Sequence, residues 1–108
     1  MTVYEMKRND TRPKPDAILK FSDGTIPNLT GATVKFIARH QGSTTVKIDA
    51  AATITDIPTG AVEYTILEAD VDVAGNFDVE WEVTFADSSK QSWPTRGYDL
   101  LIIGGDLA

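Results

Sequence analysis

The chain has 108 residues, no cysteine, one histidine and a formal charge of −6, a length that fits one domain with one core. These numbers exclude disulfide frameworks, thiolate nucleophiles, cysteine-ligated zinc and any multi-histidine metal centre within one chain. The acidic balance also disfavours nucleic acid, which is held by Lys and Arg that displace counterions.

From the amino end, "TVYEM" (Thr2–Met6) is predicted as a first strand. The start lacks the apolar run of a signal peptide, so synthesis in the cytoplasm is expected. Residues 7–15, "KRNDTRPKP", follow as an extended arm or linker, because Pro13 and Pro15 fix their own φ and restrict the residues before them. A strand over Ala17–Phe21 leads into the tight turn "SDGT" (Ser22–Thr25), where Gly24 supplies positive φ and Asp23 a local acceptor. "ATVKFIAR" (Ala32–Arg39) puts Val34, Phe36 and Ala38 on one face. The runs "TTVKI" and "ATITDI" are expected as successive strands, ended by a turn at Pro58–Gly60. In Ala61–Leu67, Val62, Tyr64 and Ile66 share a face opposite Glu63 and Thr65.

Ile26–Leu29 and Leu67–Val73 have room for a helical turn and nothing longer. Asn76–Ala86 carries the longest alternation, with Phe77, Val79, Trp81, Val83 and Phe85 on one parity and Asp78, Glu80, Glu82 and Thr84 on the other. Ala86–Lys90 is a hairpin turn, "QSWP" a short return, Tyr98–Ile103 a last strand, and 104–108 a loose tail. Eight or nine short strands with no sustained helical period predict an all-β domain over 1–108, an antiparallel β-sandwich or small barrel. The most apolar stretch, "YDLLIIGG", is strand-sized and falls short of the ~18 residues a membrane helix needs.

Charge is unevenly distributed. Lys7, Arg8, Arg12, Lys14, Lys20, Lys35, Arg39 and Lys47 precede position 48, and only Lys90 and Arg96 follow it. That asymmetry fits a solvated surface or complementary end-to-end contacts with a partner.

The ladder Asp78, Glu80, Glu82 has the residue types of a catalytic or cation site. A glycosidase needs two facing carboxyls, one of them with its pKa raised by burial, and a solvent-facing ladder supplies neither, so it reads as the wet side of a sheet. Asp70, Asp72 and Gly75 match three places of a calcium loop, but Ala74 and Trp81 stand where oxygen ligands belong. His40 has no nucleophile-elbow motif to serve and reads as a surface residue. No set of residues combines nucleophile, base and oxyanion donors, so a non-enzymatic chain without cofactor or metal is expected. Trp81 is placed in the core. Trp93, beside Pro94 and near Tyr98, fits packing, a protein interface or a sugar platform.

Taken in order, the polar "NDTRP" linker, a strand ending in "SDGT", "NLTGATVKF", "PTGAVEYT", "DVAGNFDVEWEVTFAD" and "SWPTRGYDLLI" resemble the N-terminal immunoglobulin-like domain of the phage baseplate upper protein family and related small tail-associated phage proteins. The resemblance spans Thr2–Ile103. It implies an immunoglobulin-like sandwich and a structural role in a phage or prophage-derived particle, with no catalytic residues. The implied partners are other virion proteins and copies of the chain in a symmetric assembly, with no nucleic acid and no membrane, and the implied location is the virion after synthesis in the host bacterial cytoplasm. Longer members continue into receptor-binding or host-contact regions. A chain ending at Ala108 is instead expected to be a tail, baseplate or neck accessory subunit. Contacts are expected from strand addition and from the arm, through Tyr4, Arg8, Arg12, Pro13, Trp93, Arg96 and Tyr98. The alternative is a carbohydrate-binding sandwich module, which requires Trp93 and Tyr98 coplanar and exposed.

Overall fold

A computed structural model describes residues 1–105 and Leu107. Eight strands form: β1 (Val3–Lys7), β2 (Asp16–Ile18), β3 (Thr33–His40), β4 (Val46–Asp56), β5 (Ala61–Glu63), β6 (Gly75–Thr84), β7 (Lys90–Trp93) and β8 (Asp99–Gly104). A single 3-10 turn, Glu68–Val71, occupies the segment with room for one, whereas 26–29 contains no helical turn. The all-β expectation holds. The strands lie in the order β1-β8-β6-β3-β4-β5-β2, with β7 also on β6.

The sheet is mixed rather than purely antiparallel. β1 runs parallel to β8, Val3 opposite Leu100 and Lys7 opposite Gly104, while every other pair is antiparallel. Alternation predicts a strand's faces but not the neighbour it meets across the chain, and these two strands come from opposite ends of the sequence.

The sheet curls because β4 serves two neighbours. Residues 46–52 pair with β3 and residues 53–56 with β5. The two strands expected here are one continuous strand of 11 residues, since nothing between Lys47 and Asp56 favours a turn and Ala50–Ala52 are small enough to bend between layers. β5 is shorter than expected because its partner chain reaches Pro15. Tyr64 N–H still donates to Pro15 O at 2.8 Å, but proline has no N–H to return and the ladder stops. Past the other end of β2, Leu19 N–H donates at 2.9 Å to the O of Gly60, the residue opposite it where the turn begins.

Alternation delivers the core. Val34, Phe36 and Ala38 of β3 and Phe77, Val79, Trp81 and Val83 of β6 are all buried. Phe36 stacks on Tyr64 (ring centroids 4.8 Å, interplanar 6°) and meets Trp81 edge-on at 4.9 Å, the geometries that aromatic quadrupoles favour. The Trp81 indole N–H donates to the Tyr4 hydroxyl at 3.3 Å, and that hydroxyl donates to Asp16 O at 2.9 Å. The chain of bonds links β6 to the two terminal strands of the sheet.

Segment 7–15 links β1 to β2 and is tied to the body at several points. Arg8 N–H donates to Gly104 O at 2.7 Å and Asn9 N–H to Val71 O at 2.9 Å, and Pro15 is buried. Of the expected tail 104–108, Gly104 closes β8; Asp106 and Ala108 lie outside the described residues.

Two glycines separate conformational from steric demand. Gly24 (φ 88°) has open space where a Cβ would stand, whereas a Cβ on Gly60 (φ 72°) would lie 2.6 Å from Leu19 O. Gly24→Ala is expected to cost about 1–2 kcal/mol, the left-handed penalty alone. Gly60→Ala adds a backbone clash and is expected to cost about 2–5 kcal/mol. Urea denaturation of both variants checks the order; equal losses would contradict the close approach at Gly60.

Candidate interaction surfaces

The expected contact residues divide by burial. Tyr4 is half-buried and its hydroxyl is used internally. Arg8 is also half-buried. Arg12 and Pro13 are exposed, and with Glu5, Lys7 and Asp10 they border a groove of about 460 Å³ beside β1. β1 is a terminal strand of the sheet, with no strand on its outer side among the described residues.

Trp93 takes the packing role among those open to it, and its placement among surface contact residues is corrected. It is 8% exposed, its indole N–H donates to Lys20 O at 2.8 Å, and its ring packs on Phe21 and Phe85. The sequence could not distinguish this, because the partners Lys20 and Phe21 are remote in the chain. Tyr98, five residues on, is 45% exposed. Trp93 and Tyr98 therefore do not share an exposed platform of the kind a stacked sugar ring needs. Arg96 is exposed on the loop before Tyr98.

Tyr98 leads to a surface that the sequence reading did not single out. The Arg39 guanidinium lies over its ring at 5.8 Å, and the two residues, with Ile37, Val46, Asp78 and Glu80, line a shallow groove of about 140 Å³ on the outer face of β3, β4 and β6. The available signal was Ile37, an apolar residue on the polar parity of β3. The acidic ladder sits on this face. Asp78 faces Arg39 across the strands, Glu80 faces Ile37 and Glu82 faces Lys35. Asp78 accepts from Gln41 Nε2 at 3.1 Å, while Lys35 turns to Asp49 at 3.4 Å.

The calcium-like loop is committed to internal bonds. Asp70 accepts from the Tyr64 hydroxyl at 2.7 Å and from Leu67 N–H at 2.9 Å. Asp72 pairs with Lys47 at 2.6 Å, and that bond holds its carboxyl below the usual range. Gly75 is held by His40, since a Cβ there would lie 2.6 Å from His40 Nε2. Among the described residues no three His, Asp or Glu side chains converge as metal ligands do. Among the described residues no helix is long and apolar enough to cross a membrane.

Compared with known proteins, the chain matches no family model and no curated protein sequence.

Burial raises the Tyr4 hydroxyl to about 12. Burial also raises Tyr64, reinforced by the Asp70 carboxylate that accepts its hydrogen bond. An unfolded chain releases these protons near pH ~10, while the folded chain keeps them. Their contribution to stability is therefore present below pH ~10 and lost as pH rises from there toward the folded values. Stability measured by denaturation is expected to fall from pH 10 to 12, and to fall less steeply in a Tyr4→Phe, Tyr64→Phe variant. An identical slope in both proteins would refute this assignment.

Proposed function

We propose that the chain is a non-enzymatic structural subunit of a phage or prophage-derived particle, an immunoglobulin-like domain in the tail, baseplate or neck that acts by protein–protein contact. The observation that carries this reading is where the resembling segments lie. "NLTGATVKF" and "DVAGNFDVEWEVTFAD" contribute buried Leu29, Val34, Phe36, Phe77, Val79, Trp81 and Val83, and "PTGAVEYT" contributes Gly60, Val62 and Tyr64 at the close of the second layer. The motifs behind the resemblance are thus the framework of the core and its tight turns.

The strand order supports the immunoglobulin-like assignment. The first strand lies beside the last, β6 and β3 form the centre, and β5 with β2 make the facing layer. Two features suit assembly. The outer edge of β1 has backbone groups that a neighbouring strand can pair with, and exposed Arg12, Pro13, Arg96 and Tyr98 stand on loops around the rim. Copies around a symmetry axis need only weak individual contacts, because multivalency multiplies them.

Mass spectrometry of density-purified particles from the strain that carries the gene is expected to find the protein at a low, symmetric ratio to the major tail subunit. Its absence from intact particles would sink the proposal. Within the particle, an Arg96→Glu, Tyr98→Ala variant is expected to incorporate about tenfold less, as for loss of a contact worth about 1.4 kcal/mol, with unchanged thermal stability. Trp93 is unsuited to this test because its loss would disturb the core.

A further inference from the structure

The outer face of the sheet carries a charge pattern that is its own complement. β3 presents Lys35 and Arg39, and the neighbouring β6 presents Glu82 and Asp78 at the same two heights. Basic and acidic stripes therefore run side by side, one strand apart. Apolar groups flank them. Val46 of β4 pairs with Arg39, and Leu100 of β8 pairs with Asp78, so one row across the sheet runs Val46, Arg39, Asp78, Leu100. Val46 is 47% exposed and Tyr98, which borders this face, is 45% exposed.

A two-fold axis parallel to the strands, set between β3 and β6, lays β3 of one copy over β6 of another at matching height. Each basic residue then meets an acidic one: Lys35 faces Glu82 of the second copy and Arg39 faces its Asp78. The same operation puts Val46 over Leu100 and, between the two charged rows, Ile37 over Glu80. A closed two-fold interface requires self-complementarity of this kind. From charge and apolar matching together, we infer that this face binds a second copy of the chain as a face-to-face dimer.

The contacts these groups make within one copy are exposed and few: Arg39 lies over the Tyr98 ring and Asp78 accepts from Gln41 Nε2, both at the surface. Lys35 and Asp49 are 3.4 Å apart with side chains about half exposed, a pairing weak enough to give way. Glu80 and Glu82 form no ion pair among the described residues. Four strands at ~4.8 Å and six residues at ~3.3 Å make a patch roughly 20 Å on a side. That is small for a specific interface, so a dissociation constant of roughly 10–500 μM is expected. The inference goes beyond the proposed particle role and does not require it, since the dimer is a property of the isolated chain.

The test is sedimentation equilibrium on the purified chain. Wild type should show a weight-average mass rising toward twice that of one chain as concentration approaches ~1 mM, with association weakened about tenfold between ~0.1 M and ~1 M salt. Lys35→Glu gives a face acidic at both positions, and Glu82→Lys a face basic at both, so each variant alone should be monomeric. Mixed in equal amounts, the two should associate, because each charge-on-charge contact across the axis is again between opposite signs. Circular dichroism and thermal unfolding check that both are folded; if either is not, the pair Arg39→Glu and Asp78→Arg poses the same question one row away. A wild-type chain that stays monomeric, single variants that still dimerise, or folded variants that fail to associate when mixed would each overturn the inference.

Discussion

The architecture depends on finding a partner for one buried N–H. Trp81 sits at the centre of β6 with no exposed surface, and an indole donor taken out of water without an acceptor is costly. The Tyr4 hydroxyl accepts from it and donates a hydrogen bond of its own to Asp16 O. Satisfying Trp81 thus ties β1, at one end of the sheet beside β8, to the central β6, and the Asp16 bond ties in β2 at the other end. Trp93 repeats the device with Lys20 O, so both tryptophans bind the two ends of the curled sheet through a polar edge while filling space with their rings.

Aromatic packing gives that arrangement its thickness. Phe36 stacks on Tyr64 and meets Trp81 edge-on, so its ring joins β3 and β6 to the chain that follows β5. Tyr64 then reaches Asp70, whose second bond, to Leu67 N–H, closes the 3-10 turn. Residues from five separate segments are consequently ordered by a single run of rings and hydroxyls. Alkali acts on the same groups, because a tyrosinate cannot donate the bonds that Tyr4 and Tyr64 make.

The strands legible in the sequence were those with one buried face. β3 and β6 alternate cleanly, and their buried residues are the ones the pattern selects. The turns at Gly24 and Gly60 were legible because both need positive φ. Strand ends were less so. β2 and β5 end where Pro15, lacking an N–H, meets Tyr64 and where Leu19 meets the turn at Gly60, which depends on chain brought in from a distance. β4 hid its continuity because its middle is alanine, which marks neither face. For the candidate surfaces, Arg12, Pro13 and Tyr98 are exposed, while the burial of Trp93 and the grouping of Arg39 with Tyr98 both arise from pairing across the sheet. A one-dimensional pattern records which way a residue points and says nothing of who stands next to it.

One edge of β6 is shared by two strands. β7 covers Trp81–Thr84 and β8 covers Gly75–Val79, and between them the chain leaves the sheet for Pro94–Tyr98 before returning to the same line. That excursion is a detour in an otherwise single strand position. Its length is set by neither ladder, because each is registered independently against β6. Residues can be added to or removed from the detour while every backbone pairing stays in place, which makes it the point where this scaffold can change what it displays without being refolded.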